Sequence, residues 1–468
     1  MERLIKCGNV PAKKSAEVKK SRLGIGFEKL DRAVFDPEKA YDKVADLGVK
    51  YIRIQSGWAR CEKEKGVYSF EWLDEIVDNL IKRGLQPWIC LCYGNGVYDE
   101  NAKKVFGAVG VPPIFNDEQK NAWSNYVYEL VSRYKNKVEL FEVWNEPDGG
   151  WCWKHGVNAT ELGNFTIDTA KAIKAANPDA KVIGGVLCLR KVSYINEALK
   201  TGMGEYLDYI SFHEYTPREE DVFSKVDMLR SIANQYNENI EIIQGESGSQ
   251  SKSGGHGALA CGAWTEEKQA KQLARHTLAD LMCDVYFTSY FSCMDMIEAL
   301  NGESGNTASY LDYGYFGVLG AEFDENGFSI GEYYKKPSYF VLQNIASVFS
   351  GDFETVKLPV LFSEYDSERI FGRDLNGNKI IKGGFKNKSG EAMAYWYPSD
   401  IMTTSYEGTV TFEIYSKYDK VRLIDIMDGA IYEIPESIVQ RDDFGTYTFS
   451  HLPIKDTPML LAFGDFLQ

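Results

Sequence analysis

The 468-residue sequence predicts an α/β fold: a (β/α)8 TIM barrel with an accessory C-terminal β-sandwich domain. Three observations carry this reading. Short apolar segments alternate with amphipathic ones from about residue 23 to residue 350, the pattern of a parallel sheet with crossover helices. The glycine-rich phosphate turn of a doubly wound sheet is missing, because Gly24-Ile25-Gly26 lies inside the first strand and leads to Phe27-Glu28. After Gly351 the texture changes to alternating residues broken by turn signals. A chain of this length also exceeds the usual ceiling for one compact core. The expected division is an amino-terminal arm at 1–20, a barrel at 21–350 and a β-sandwich at 351–468.

Taken in order, the strands are expected at 23–27, 51–54, 87–92, 140–143, 181–185, 209–213, 240–243 and 285–290. Each is a short run rich in β-branched or aromatic residues. The first helix, 37–47, has Pro37 in its first turn and Gly48 past its end. The second, 69–83, opens on a serine expected to cap, spaces Trp72, Ile76 and Leu80 along one face, and stops at Gly84. Further helices are read at 117–134, 159–176, 192–199, 218–236, 265–283 and 337–351. In the C-terminal part, 391–397, 408–414 and 459–463 read as strands, and Asn376-Gly377 signals a hairpin.

Composition narrows the function classes. A formal charge of −16 argues against nucleic acid or an anionic membrane as partner, and is indifferent to a neutral sugar. Nine cysteines without regular spacing read as reduced, buried thiols rather than a disulfide framework. Cys90 and Cys92 share one face of a strand, which makes a poor metal clamp. The start, Met1 to Cys7, lacks the apolar core of a secretory signal, and no segment approaches membrane-spanning length. A cytoplasmic location is therefore expected. The number of subunits is not legible, and a homo-oligomer stays open.

The most informative stretch is Val143-Trp144-Asn145-Glu146-Pro147. It reads as a buried strand that stops at a proline and opens through Gly149-Gly150 into a loop. Glu146 is thereby presented at the carboxyl end of a strand, where α/β barrels place their chemistry. A lone Glu-Pro more often just starts a turn. A second acid in the same setting reverses the odds: Glu241-Ile242-Ile243-Gln244-Gly245-Glu246-Ser247-Gly248 is again an apolar strand ending in an acid and a glycine turn. Two carboxylates at two strand ends of one barrel are the minimum equipment for glycoside hydrolysis, provided their environments keep one protonated and the other ionised.

Phe141-Glu142-Val143-Trp144-Asn145-Glu146-Pro147 resembles the motif of clan A glycoside hydrolases and is most similar to that of family 39, the β-xylosidases and α-L-iduronidases. The resemblance implies a retaining glycoside hydrolase in which Glu146 is the acid/base and Glu246 the nucleophile, with carboxyl groups roughly 5–5.5 Å apart. It implies no cofactor and no metal, an oligosaccharide or glycoside as substrate, and an amino-terminal arm that joins the β-sandwich. β-Xylosides are the first expectation, with α-L-arabinofuranosidase, β-galactosidase and β-glucuronidase activities behind. A catalytically silent carbohydrate-binding barrel is the alternative from another class. A metal-dependent barrel hydrolase is disfavoured by only five histidines. Two departures from the clan stand out: Gln244-Gly245 before Glu246, and Tyr290-Phe291-Ser292 where many members carry a tryptophan.

The same resemblance assigns the rest of the site. Arg53, in the second strand, is expected to hold Glu246 ionised, against the plainer reading of a core ion pair. His213 and Tyr215 close the sixth strand, with Tyr215 placed to donate its hydroxyl to the nucleophile. Asn145 is expected at the sugar 2-hydroxyl. Glu28 is a candidate for other hydroxyls. Trp58, Tyr93, Asn95, Trp151, Trp153 and Trp264 follow strands or lie in rim loops, where they either cover the barrel or stack on sugar faces. The run from Ser247 to Gly262, rich in glycine, is expected to form a lid.

Overall fold

The computed structural model describes residues 4–298, 312–324, 329–365 and 380–467; the expected Asn376-Gly377 hairpin lies outside them. Strands Leu23–Gly26, Tyr51–Gln55, Gln86–Leu91, Leu140–Val143, Lys181–Leu187, Tyr209–Glu214, Glu241–Ser247 and Thr288–Tyr290 close into a parallel barrel. They pair in chain order, and Ser289 of the last strand sits opposite Gly24 of the first. This is the (β/α)8 barrel that the alternating pattern predicts.

Successive side chains of a strand point to opposite faces, so residues two apart rise along the lumen. Trp88, Leu140, Ile183, Tyr209, Ile243 and Phe287 form an apolar floor there, with Tyr51 packed against it. One step above the floor stand Arg53, Cys90, Glu142 and Ser211, all buried. One step higher are Gln55, Cys92 and His213. The barrel therefore goes from apolar to charged to open towards the carboxyl ends of its strands.

The outer helices form where capping and apolar spacing agree. Asn116, Asn158 and Thr265 cap helices Asp117–Tyr134, Ala159–Ala176 and Glu266–Met282 through side-chain oxygens that accept the N–H three residues on. Helix Glu71–Lys82 buries Leu73, Ile76, Val77 and Leu80. Ser69 does not cap it: Phe70 holds that position, and the Ser69 hydroxyl donates instead to Glu71 Oε2 at 2.5 Å. The 37–47 segment divides into a 3-10 turn, Pro37–Lys39, and a short α-helix, Tyr41–Ala45. No helix among the described residues is long and apolar enough to cross a membrane.

Beyond helix Pro337–Val348, the described residues form two antiparallel sheets, one of seven strands and one of four. Phe412, Phe449, Met393, Leu461 and Phe463 fill the space between them. Strand Ile5–Asn9 pairs with Ala430–Glu433 and forms an edge of the larger sheet. That sheet packs its other face on the barrel: Trp396, Ala394, Ile424 and Leu460 share one core with Leu278 and Ile345 of the outer helices.

Candidate active site

A cavity of about 840 Å³ opens at the carboxyl ends of the barrel strands, with Glu146 and Glu246 in its wall. Its size suits a short saccharide. Glu146 reaches it by a strained turn. Trp144 and Glu146 both adopt left-handed backbone angles, φ 64° and 44°, as the chain leaves strand Leu140–Val143. The Glu146 N–H donates to the Val186 carbonyl at 3.0 Å, which fixes the turn.

Glu246 reaches the cavity by a different device. Ile242 packs in the outer core, and Gln244 meets His276 of the helix behind the strand, at 3.3 Å. Unbroken alternation would send Glu246 to that same outer side. The register against the neighbouring strand shifts between Gln244 and Glu246, so Glu246 pairs with His213 and faces the lumen. Gly245 makes the shift fit, because a Cβ there would stand 2.2 Å from Ser211 Oγ.

The two carboxylates meet through His213. Its Nδ1 lies 3.0 Å from Glu146 Oε1 and 3.5 Å from Glu246 Oε2. Both neighbours are carboxyl oxygens placed to accept, so Nδ1 carries the proton. The Trp151 indole donates to the other Glu146 oxygen at 2.6 Å, and the Tyr215 hydroxyl donates to Glu246 Oε2 at 2.7 Å. Arg53, fully buried, donates to Glu246 Oε1, to Glu142 Oε1 and, at 2.8 Å, to Asn145 Oδ1.

Electrostatics separate these groups. Burial alone would raise the pKa of Glu246, but His213 and Arg53, with the Tyr215 hydrogen bond, outweigh it and hold the carboxyl below its ordinary range. Burial likewise works against the His213 imidazolium, and Glu246 and Glu146 overcome it, so its pKa is raised. Glu28 goes the other way: burial pushes it up to about 8, only partly opposed by Arg53. Among the described residues, Glu146, His213 and Glu246 are the group whose ligand atoms converge closely enough to hold a metal ion, all within 4.8 Å.

The cavity brings together Glu146, Glu246, Asn145, His213, Tyr215, Tyr93 and Trp151, with Arg53 directly beneath. Five expected binding residues are placed elsewhere. Glu28 is sealed behind Arg53, 3.4 Å from its Nη1, and does not reach the wall. Trp58 stacks on Tyr98 and Tyr126 and donates to Glu62 Oε2, deep in an aromatic cluster. Asn95 donates to the Glu62 carbonyl at 2.8 Å and accepts from the Val97 N–H, so it shapes its own loop. Trp153 is fully buried against Trp144 and Phe165 and donates to Glu161. Trp264 fastens the glycine-rich loop from behind through the Leu259 carbonyl at 2.8 Å.

That loop, expected as a lid, lends His256, Gly257, Ala258 and Leu259 to the wall. It is tied down at Gln250, which donates to the His256 and Ala258 carbonyls, and at Ser251, which accepts from Lys336 at 2.7 Å. Phe291 lines the cavity near Lys29, at the place where the clan's tryptophan is missing. The wall also holds Gln55, Arg32, Cys152, Cys188 and Arg190, none singled out from the sequence. Glu142 and Gln55 had a usable signal, since both follow lumen residues at a spacing of two.

Residues 29–245 match the model of the family described as glycosyl hydrolases family 39. A β-xylosidase of Geobacillus stearothermophilus is 26% identical over 46% of this chain and 46% of its own length. A β-xylosidase of Caldicellulosiruptor saccharolyticus is 29% identical over 36% of this chain and 37% of its own. The chain thus matches under half the length of these curated relatives. A family 39 glycoside hydrolase from Bacteroides cellulosilyticus WH2 has a similar structure, with TM-score 0.64 and 19% identity over 97% of this chain and 83% of that one. A monomeric β-xylosidase from Caulobacter crescentus CB15 superposes with TM-score 0.60 and 15% identity over 98% of both chains. At such identities the structural likeness speaks for the shared fold.

Proposed function

We propose that this chain, a family-39-like protein of glycoside hydrolase clan A, is a retaining glycoside hydrolase that removes β-xylosyl-type units from oligosaccharides or glycosides. One observation carries the reading: Glu146 and Glu246 converge on one imidazole, an oxygen of each within 4.8 Å of the other, with Trp151 on Glu146 and Arg53 and Tyr215 on Glu246. Glu146 gives its proton to the departing sugar oxygen while ionised Glu246 attacks the anomeric carbon; Glu146 then takes a proton from the water that releases the glycosyl-enzyme. Such close carboxylates favour direct attack, because inversion needs roughly 6.5–9.5 Å to admit a water between them. Arg53, His213 and Tyr215 keep Glu246 anionic in a buried setting. The β-xylosyl preference draws support from the named relatives.

A panel of nitrophenyl glycosides tests the activity, and turnover of none of them would leave a silent sugar-binding barrel. Glu246→Ala tests the mechanism. The variant is expected to lose at least about 1,000-fold in kcat and to regain turnover with azide, giving a glycosyl azide of inverted configuration. No rescue in a variant that folds and binds sugar would remove Glu246 from the nucleophile's role.

A further inference from the structure

We propose that the leaving-group side of this cavity accepts a carboxylate-bearing aglycone, such as an acidic sugar, with Arg190 as its ligand; the inference rests on the glycosidase reading above. The Arg190 guanidinium lies over the Trp151 ring, 5.1 Å from its centre, and Trp151 is the residue that donates to Glu146 Oε2. The departing oxygen leaves towards the acid, so Arg190 sits where the aglycone goes.

An exposed arginine is ordinarily a solvated tip. The loop that carries this one is built differently. Val186 and Leu189 hold left-handed angles, φ 50° and 55°, and for a β-branched valine this is a genuine outlier. The buried Asp148 carboxylate accepts the N–H of Cys188 at 2.8 Å and of Arg190 at 3.1 Å. Tyr194 donates to the Pro147 carbonyl at 3.0 Å, from the next helix. Residues 186–190, the end of strand Lys181–Leu187 and the turn after it, are thus tied to the loop of Glu146 at several points, and their strain is held by those bonds.

Charge pairing points the same way. Of the other cations in the wall, Lys29 lies over the Phe291 ring at 5.8 Å, Arg32 meets Asp31 at 3.3 Å and Lys225 meets Glu214. The Arg190 guanidinium has no carboxylate and no hydrogen-bond acceptor among the described residues. Stacking on Trp151 leaves its N–H edge open, in the fork geometry that fits a carboxylate. A chain of formal charge −16 does not draw anions by its overall field, so an acidic aglycone would depend on this local cation.

The test compares 3-carboxyphenyl and 3-carbamoylphenyl glycosides of the sugar that the nitrophenyl panel identifies. The two differ in charge and little in shape. In the wild type, kcat/KM is expected to favour the carboxylate. Arg190→Gln is expected to lower the ratio of the two about 10-fold through KM, the scale of one charge-assisted hydrogen bond, and Arg190→Lys to restore part of it. A ratio unchanged in Arg190→Gln, or a wild type without preference, overturns the assignment. Ligand-observed NMR binding of the same two compounds reads the preference without turnover. Absence of any hydrolysis would therefore count against the glycosidase reading, while equal binding of the pair would count against Arg190.

Discussion

At Glu246 burial and hydrogen bonding pull in opposite directions, and the hydrogen bonds and cations win. Removing one of them should show in the pH profile. Tyr215→Phe deletes the hydroxyl donated to Glu246 Oε2, so the carboxyl pKa must rise. The acid limb of kcat/KM is expected to move to higher pH, with kcat falling about 10- to 100-fold. An unmoved limb would mean that another group titrates there. Glu28 supplies the converse case. Its carboxyl has an ordinary value of 4.5 and stands at about 8 in the fold. Between those values the folded chain holds a proton that the unfolded chain releases, so stability declines as pH rises through this window. Glu28→Gln cannot ionise and is expected to lose less Tm than wild type between about pH 5 and pH 8; parallel curves would count against a protonated Glu28. In the sequence Glu146 and Glu246 stood out as acids at strand ends, while Arg53 and Tyr215 entered through the resemblance to clan A. The sequence could not sort the rim aromatics. Trp151 and Trp153 are two positions apart in one loop, yet one indole finds Glu146 and the other Glu161. That choice is made by the partners each indole meets in the folded loop.

The barrel strands were legible as elements, since short apolar runs between capped helices admit few other architectures. The turn of strand Glu241–Ser247 was not. Ile242, Ile243 and Gln244 look like an unbroken strand, and the register shift that turns Glu246 inward depends on the neighbouring strand through Ser211 and His213. The Gln244-Gly245 departure from the clan pattern falls at this shift. Gly245→Ala tests whether it matters. The added Cβ would stand 2.2 Å from Ser211 Oγ and 3.2 Å from His213 Nε2, so strand and imidazole must move. Displacing a nucleophile by about 1 Å can cost about 100-fold in rate, and that loss is expected here in a protein that still folds. Ser211→Gly, which removes the clashing hydroxyl, is expected to recover part of it. If Gly245→Ala retains full kcat, the shift does not position Glu246 and the site is held by Arg53, His213 and Tyr215.

At the scale of the whole molecule, the β-sandwich braces the helix behind strand Glu241–Ser247. Arg275, on helix Glu266–Met282, donates from Nε to Glu219 Oε1 at 2.7 Å and from Nη1 to the Ser399 carbonyl at 2.9 Å. Trp396, from the larger sheet, donates to the same Glu219 oxygen at 2.7 Å. Both charged partners are almost fully buried. Burial raises the Glu219 pKa and Arg275 opposes it, so the acid depends on its partner to remain charged. A pair of this kind is costly to break from one side and cheap to remove whole. Arg275→Met is therefore expected to cost about 3–5 kcal/mol in chemical denaturation. Adding Glu219→Gln should recover much of that loss, because no charge is then stranded and the amide oxygen still accepts the Trp396 N–H. If barrel and sandwich form one cooperative unit through this contact, near-UV circular dichroism and activity should fall together in the single variant. A single variant that loses less than about 1 kcal/mol, or a double variant no better than the single, would show that apolar packing around Trp396 and Leu278 joins the two parts without help from the ion pair.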